Sequence, residues 1–417
     1  MNKRIWWLHP VLIYAGVTLL AVAAHALPEE VYLLIYGAEK CIVPQHLWLY
    51  GGMLLLFAAG YALSGRGRYS GVLLRASHVD AFDAAPVASL YRAYRCLYGV
   101  CVGAYALWYG NFLRIHGTAV LGWFSSAEAL SAAMYTMRGQ AGRITGLTTF
   151  TELGMVVLPL GLWLLRRNAA CRGRIRWQLA LLLGLACFRA VAFSERMALL
   201  ELLVPGAVVL AVLSEKGRWV KWLPLAAVAG VALLFGALEY SRSWMHGYQE
   251  LYESYGQFAL LRLMGYYANA INAECRMLTH AGPSGLPWHT LMWLWELPGM
   301  AQLYEWLAPS HVPQVFQALL QTWGNPEFNN PGGMLALVLD FGVLSPLVQL
   351  AFGYMTGRAY RRCIQGNVLG MLVYAYVFLC LVELPRFFLL GASRSFIAGV
   401  GLLAVILFVQ YGERRKG

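Results

Sequence analysis

The sequence predicts an all-α fold: a polytopic integral membrane protein with about ten transmembrane helices and one large, partly helical loop on the side opposite its basic loops. Three observations predict it. Only 12% of the 417 residues are charged while 59% are hydrophobic, about half the charged share of an average soluble domain, so much of the surface faces lipid. Apolar runs near the length of about 20 residues that crosses a bilayer recur along the whole chain. Lys and Arg gather in alternate loops between those runs, as the positive-inside rule requires.

In order, the runs cover residues 5–26, 45–63, 96–112, 149–165, 177–193, 197–213, 222–238, 332–355, 368–384 and 388–411. The first follows Lys3 and Arg4 and contains Ala24-His25-Ala26, the form of a signal-peptidase site. Its apolar stretch exceeds the roughly 7 to 15 residues of a signal-peptide core, which favours an uncleaved helix over the rival reading of cleavage.

With the N-terminus inside, the inner loops hold Lys3 and Arg4; Arg66, Arg68, Arg75, Arg92 and Arg95; Arg166, Arg167, Arg172, Arg174 and Arg176; Lys216, Arg218 and Lys221; Arg358, Arg361 and Arg362; and Arg414, Arg415 and Lys416. These are 21 of the 32 basic residues. The net charge of +12 is then mostly a topology signal and gives no support to nucleic-acid binding. Of the eight cysteines only Cys41 and Cys275 are expected outside, either bridged or as two separate thiols; no C-x-x-C pair indicates structural zinc.

The chain reads as a single membrane domain, 1–417, with no internal repeat. Within it the loop 239–331 is far longer than any other, and a second outward loop covers 111–147. The long loop carries Trp288, Trp293, Trp295, Trp306 and Trp323, so it is expected to fold rather than to be disordered. Residues 286–297 are apolar but too short to span, and predict a helix lying in the outer interface or a re-entrant piece.

Ten arginines fall at the outer side or in the outer leaflet: Arg114, Arg138, Arg143, Arg189, Arg196, Arg242, Arg262, Arg276, Arg386 and Arg394. A guanidinium near hydrocarbon costs free energy, and its planar fork matches phosphate oxygens, so the set points to an anionic ligand at that boundary. Taken singly, each also fits snorkelling to headgroups or pairing with Glu195, Glu253, Glu274 or Glu383. Arg196, in the tight turn before the run 197–213, is the leading anion-binding candidate, with Arg189 about two helical turns deeper, Arg262 and Arg242 beside it.

General-base candidates are Glu327, His289 and Glu274, among other His and Glu residues of the long loop; each also fits a solvated or interfacial place. Tryptophans such as Trp323 read as an interfacial belt or as sugar-stacking platforms. No metal and no cofactor is expected. The only aspartates are Asp80, Asp83 and Asp340; the first two fall inside, and Asp340 falls within a span, where pairing with an arginine or with backbone is the simplest role.

Three stretches resemble the bacterial oligosaccharide repeat-unit polymerases, the O-antigen or Wzy-type family. They are Asn329-Asn330-Pro331-Gly332-Gly333-Met334 leading to Leu339-Asp340-Phe341-Gly342 with Gly353 and Gly357; Tyr266-Tyr267-Ala268-Asn269-Ala270-Ile271-Asn272 after Arg262, similar to a loop segment of the family; and residues 194–203, similar to its arginine-led outer turn. Gly332 stands where that family would have a hydroxyl residue. The resemblance implies a glycosyltransferase-C-like membrane protein of the bacterial inner (cytoplasmic) membrane, with both termini cytoplasmic and a periplasmic active side. It implies metal-independent transfer of a glycan from undecaprenyl diphosphate to another lipid-linked repeat unit, with Tyr266, Tyr267, Asn269 and Trp323 on the sugars. The implied partners are undecaprenyl-diphosphate-linked oligosaccharides, the lipid bilayer and a chain-length regulator, with no nucleic acid. An O-antigen ligase, with the same donor and a lipid A core acceptor, is the alternative enzyme. A lipid-linked oligosaccharide flippase or transporter would instead spread charged residues through several spans.

Overall fold

The computed structural model describes residues 5–65, 87–117, 122, 125–126, 142–193, 195–214, 219–308 and 311–414, the side chains of 241, 242, 246 and 412–414 excepted. Among the described residues the regular structure is α-helical, with short 3-10 and π turns and one isolated bridge between Gly332 and Phe387. The helices are α1 (Pro10–Ala26), α2 (Pro44–Leu63), α3 (Val87–His116), α4 (Gly154–Arg167), α5 (Arg172–Ala192), α6 (Met197–Leu213), α7 (Leu223–Arg242), α8 (Tyr255–His280), α9 (Met292–Trp295), α10 (Met300–Leu307), α11 (Val312–Trp323), α12 (Ala336–Phe341), α13 (Ser345–Ile364), α14 (Val368–Glu383) and α15 (Ser393–Arg414).

Among the described residues seven stretches are long and apolar enough to cross a membrane: Pro44–Leu63, Val87–His116, Thr148–Arg167, Ala169–Ala192, Leu223–Tyr240, Ala336–Ile364 and Ser393–Tyr411. The other three expected runs coincide with the shorter apolar helices α1, α6 and α14. This is the helix inventory of a multi-pass membrane protein, because in hydrocarbon only a helix satisfies its own backbone within one segment.

The chain forms two compact units. The first comprises Met1–Ala76 and Leu261–Phe396. Its framework is α2 packed along α13, and three glycines explain the closeness of that contact. A Cβ at Gly60 would strike the Leu350 carbonyl oxygen, one at Gly353 the Phe57 carbonyl oxygen, and one at Gly357 the Ser64 hydroxyl. Small residues four apart let helix backbones meet, which is how helices associate where lipid removes the hydrophobic drive. Around this seam Tyr14 stacks on Phe57 at 4.6 Å and Phe57 meets Phe352 edge-on at 5.4 Å. Gln349 donates to the Tyr14 hydroxyl and to the Met53 carbonyl, both at 2.9 Å, so its buried amide is satisfied.

The second unit comprises Ser77–Leu260 and Ile397–Gly417. Helix α4 is its centre: every residue from Gly154 to Gly161 is buried, against α3, α5 and α6. Gly154 and Gly206 lie under Leu202 and Leu158 respectively, and Pro159 and Pro205 sit inside α4 and α6.

Several boundaries differ from those read in the sequence. Helix α3 covers Val87–His116, so Arg92 and Arg95 are helical rather than in a loop. Helix α7 continues to Arg242, and much of the long loop is the 26-residue helix α8, which also contains the expected loop segment 266–272. The run 332–355 is broken between α12 and α13 at Gly342, whose φ of +49° is costly for any residue with a Cβ. Residues 286–297 form no continuous interfacial helix: only Met292–Trp295 is helical, Trp295 is buried, and Trp293 lies flat on Phe396 at 4.5 Å.

Candidate functional site

In the first unit the chemistry gathers along one face of α8. Arg262, Gly265, Asn269, Asn272, Arg276 and His280 recur every three or four residues and therefore share a stripe. Arg262 donates through Nη1 to Glu327 Oε2 at 2.6 Å, and its guanidinium lies 5.3 Å from the Phe328 ring. Gly265 permits this approach, since a Cβ there would stand 2.9 Å from both the Phe328 and the Tyr36 rings. Tyr266 meets Phe328 edge-on at 5.5 Å. At the other end of the stripe His280 stacks parallel to Trp323 at 5.9 Å.

The turn that carries Glu327 is built locally. Asn325 Oδ1 accepts from the Glu327 backbone N–H at 2.9 Å, and its Nδ2 donates to the Tyr36 carbonyl at 2.9 Å. The Glu327 side chain is 42% exposed while that of Arg262 is 6% exposed. A buried cation thus orients a carboxylate that reaches solvent. That combination suits a proton acceptor held in one direction by a charge-assisted hydrogen bond.

Further along α8, Asn272 accepts from the backbone N–H groups of Cys41 and Ile42 at 2.7 and 3.1 Å and donates to the Glu39 carbonyl at 2.6 Å. Arg276 donates to the same carbonyl at 3.2 Å. These bonds lay residues 39–42 along the helix. Cys41 and Cys275 are both free and buried.

Glu274, also on α8, is fully buried. Its Oε1 accepts from the Tyr50 hydroxyl at 2.7 Å and its Oε2 from the Leu335 N–H at 3.0 Å, with the N–H groups of Met334 and Gly333 nearby. Burial pushes its carboxyl up to about 8, against the pull of those donors. A Cβ on Gly332 would lie 2.7 Å from that carboxyl, so the Asn-Asn-Pro-Gly-Gly segment must have glycine there, at φ +75°. Packing alone accounts for glycine at this position.

Asp340 is satisfied by backbone rather than by an arginine. Its Oδ1 accepts from the N–H groups of Trp288 and His289 at 3.0 Å each, and its Oδ2 from the N–H and hydroxyl of Thr290 at 2.7 Å each. His289 is therefore held by its backbone. Its ring is buried, its Nε2 has no hydrogen-bond partner, and it lines a small cavity with Ser284, Met277 and Leu339. Burial lowers its pKa, with Asp340 opposing.

In the second unit Arg189 is nearly enclosed. Nε donates to Glu195 at 2.7 Å, Nη2 to Glu152 at 3.0 Å and Nη1 to the Thr151 hydroxyl at 3.1 Å, and the guanidinium lies 4.8 Å from the Trp108 ring. Arg143 also pairs with Glu195. Arg196 donates to Glu239 at 2.7 Å and lies 4.2 Å from the Phe235 ring. Arg189 and Arg196 sit at helix ends: Arg189 in the last turn of α5, Arg196 just before α6, with Glu239 in the last turn of α7.

The expected residues thus fall into separate groups. Arg262, Glu327 and Tyr266 come together around Phe328; Trp323 lies beside His280; Tyr267 is half-buried. Asn269 is buried and bonds within its own helix to the Gly265 carbonyl at 3.2 Å. Glu274 and His289 are enclosed, each elsewhere in the first unit. Arg189 and Arg196 belong to the second, and the side chains of Arg242 and His246, like all of Arg138, lie outside the described residues. Local spacing gives no sign of the bonds that Asn272, Asn325, Glu152 and Glu239 make, because their partners are up to 289 positions away in the chain. No family model, no curated protein and no solved structure matches this chain.

Proposed function

We propose that this protein is a multi-pass membrane glycosyltransferase that passes a glycan from undecaprenyl diphosphate to a sugar hydroxyl of another lipid-linked repeat unit on the outer, periplasmic face. The observation that carries the reading is the Arg262–Glu327 pair, a half-exposed carboxylate oriented by a buried guanidinium and flanked by Tyr266 and Phe328. Glu327 accepts the proton of the acceptor hydroxyl as its oxygen attacks the anomeric carbon. The bond from that carbon to the diphosphate breaks, and the lipid diphosphate leaves with the electron pair. Arg262 offers positive charge next to the developing anion, and the aromatic rings offer faces for sugars.

In this reading α1, α6 and α14 cross the membrane with the seven longer stretches, giving ten spans in a glycosyltransferase-C-like arrangement with both termini cytoplasmic. The three are 16 or 17 residues long, close to the lower limit of about 17 for a crossing. The deciding experiment is incubation of purified protein in nanodiscs with lipid-linked repeat units. A ladder of products on a gel supports polymerisation; transfer to lipid A core alone would make the protein a ligase, and no transfer to either would sink the enzyme reading.

A further inference from the structure

The large loop leaves one apolar face uncovered. Helix α10 turns Tyr304 inward, with its ring 4.7 Å from Trp288 and 5.1 Å from Trp295. Leu303, Trp306 and Leu307 are exposed, Trp306 at 80%, and Leu297 just before the helix is exposed as well. Spacings of three and four place the helical three on one stripe, while Ala301 and Glu305 take the far side. A patch of this kind on a soluble surface marks a contact site.

Three contacts fix where that helix lies. Glu296 accepts a hydrogen bond from Ser393, the first residue of α15, and Trp293 lies flat on Phe396, one turn into α15. Asp340 of α12 holds the backbone of residues 288–290. The segment leading into α10 is therefore tied to the ends of two stretches long and apolar enough to cross a membrane, Ser393–Tyr411 and Ala336–Ile364. Helix α10 begins four residues after Glu296, so spans that cross a membrane would carry it to the level where hydrocarbon gives way to headgroups. Tryptophan prefers that level, and an in-plane helix there buries Trp and Leu at the acyl boundary.

Residues 277–357 contain no Lys or Arg, so the segment carries no permanent cation to attract anionic headgroups. We propose that α10 is an in-plane anchor whose partner is the lipid bilayer itself, with Leu303, Trp306 and Leu307 inserted at the headgroup boundary irrespective of headgroup charge. The inference goes beyond the glycosyl-transfer reading and rests only on the spans crossing a membrane, so it stands or falls separately from any polymer assay.

The test places photoreactive benzoylphenylalanine at position 306, and separately at 305, in the full chain in phosphatidylcholine nanodiscs. Both side chains are exposed, so neither replacement disturbs the core. Irradiation and mass spectrometry should find lipid adducts at 306 and their loss at 305, with the 306 adduct unchanged by high salt or by added phosphatidylglycerol. An adduct to a second protein chain at 306 would make the face a subunit contact and overturn the proposal. Equal labelling at both positions, no lipid adduct at 306, or an adduct that disappears at high salt overturns it too.

Discussion

The Tyr50 hydroxyl donates to Glu274 Oε1 at 2.7 Å, joining α2 to α8 through two fully buried side chains that stand 224 positions apart in the chain. The opposite oxygen of Glu274 holds the start of the segment leading into α12. One carboxyl therefore ties together three parts of the first unit.

Its protonation should be visible in stability. Burial lifts the Glu274 carboxyl from the ordinary 4.5 to about 8. Between those values the native state holds a proton that the unfolded state has released, so stability is full below the unfolded value and falls as pH rises towards the folded one. The loss is on the order of a few kcal/mol. The thermal midpoint of detergent-solubilised protein should decline from about pH 5 to about pH 8 and then level. Glu274→Gln, whose amide can donate to Tyr50 and accept from Leu335, should flatten the curve. A native midpoint that does not move with pH would mean the carboxyl stays ionised.

Asp340→Asn should loosen the loop rather than unfold the protein. The carboxylate accepts four hydrogen bonds from residues 288–290, and an amide nitrogen in place of one oxygen would face donors. Hydrogen bonds to a charged group contribute about 1.5 to 3 kcal/mol each. Limited proteolysis should cut the variant between residues 281 and 300 faster than the native chain, with α13 intact. Identical digestion patterns would show that Asp340 does not hold the loop.

The ten apolar runs were legible because the bilayer imposes one requirement, about 20 apolar residues per crossing, and composition alone reveals it. Helix α8 was less legible. Its buried stripe mixes Arg262, Asn269, Asn272 and Arg276 with apolar neighbours, so the usual amphipathic contrast is blurred. The importance of Glu327 and Arg262 could be suspected from residue type, but their pairing depends on how the turn 325–328 folds back over Gly265. Arg196 shows the same limit: the turn is readable in the sequence, yet the partner, Glu239, comes from the end of α7 and is not given by local spacing.

Glu327→Gln isolates the proton-accepting role. The amide oxygen still accepts from Arg262, and the side chain is 42% exposed, so the melting temperature should hold. Loss of a general base typically lowers rate by about 10² to 10⁴-fold. Ladder formation in the nanodisc assay should fall by that much at equal protein. A variant that polymerises at the native rate removes Glu327 from the chemistry, whatever its place beside Arg262.

The sharpest expectation concerns Arg196, the leading anion-binding candidate of the sequence, which is paired with Glu239 in the second unit. The Glu239 side chain is fully buried and that of Arg196 is 15% exposed. Removing the cation alone breaks a buried ion pair, which typically costs about 3 to 5 kcal/mol, so Arg196→Ala should lower expression and melting temperature and its lost activity would prove little. Pairing it with Glu239→Gln removes both charges, and the double variant should recover much of that stability. If Arg196 serves only to neutralise Glu239, the double variant polymerises normally. If its guanidinium also stabilises the departing diphosphate, the double variant folds but makes no ladder, because one lost donor in a water-poor site costs about a hundredfold in rate. Arg196→Lys separates charge from shape: an ammonium keeps the ion pair with Glu239 but lacks the planar fork. It should therefore restore the melting temperature more fully than the ladder.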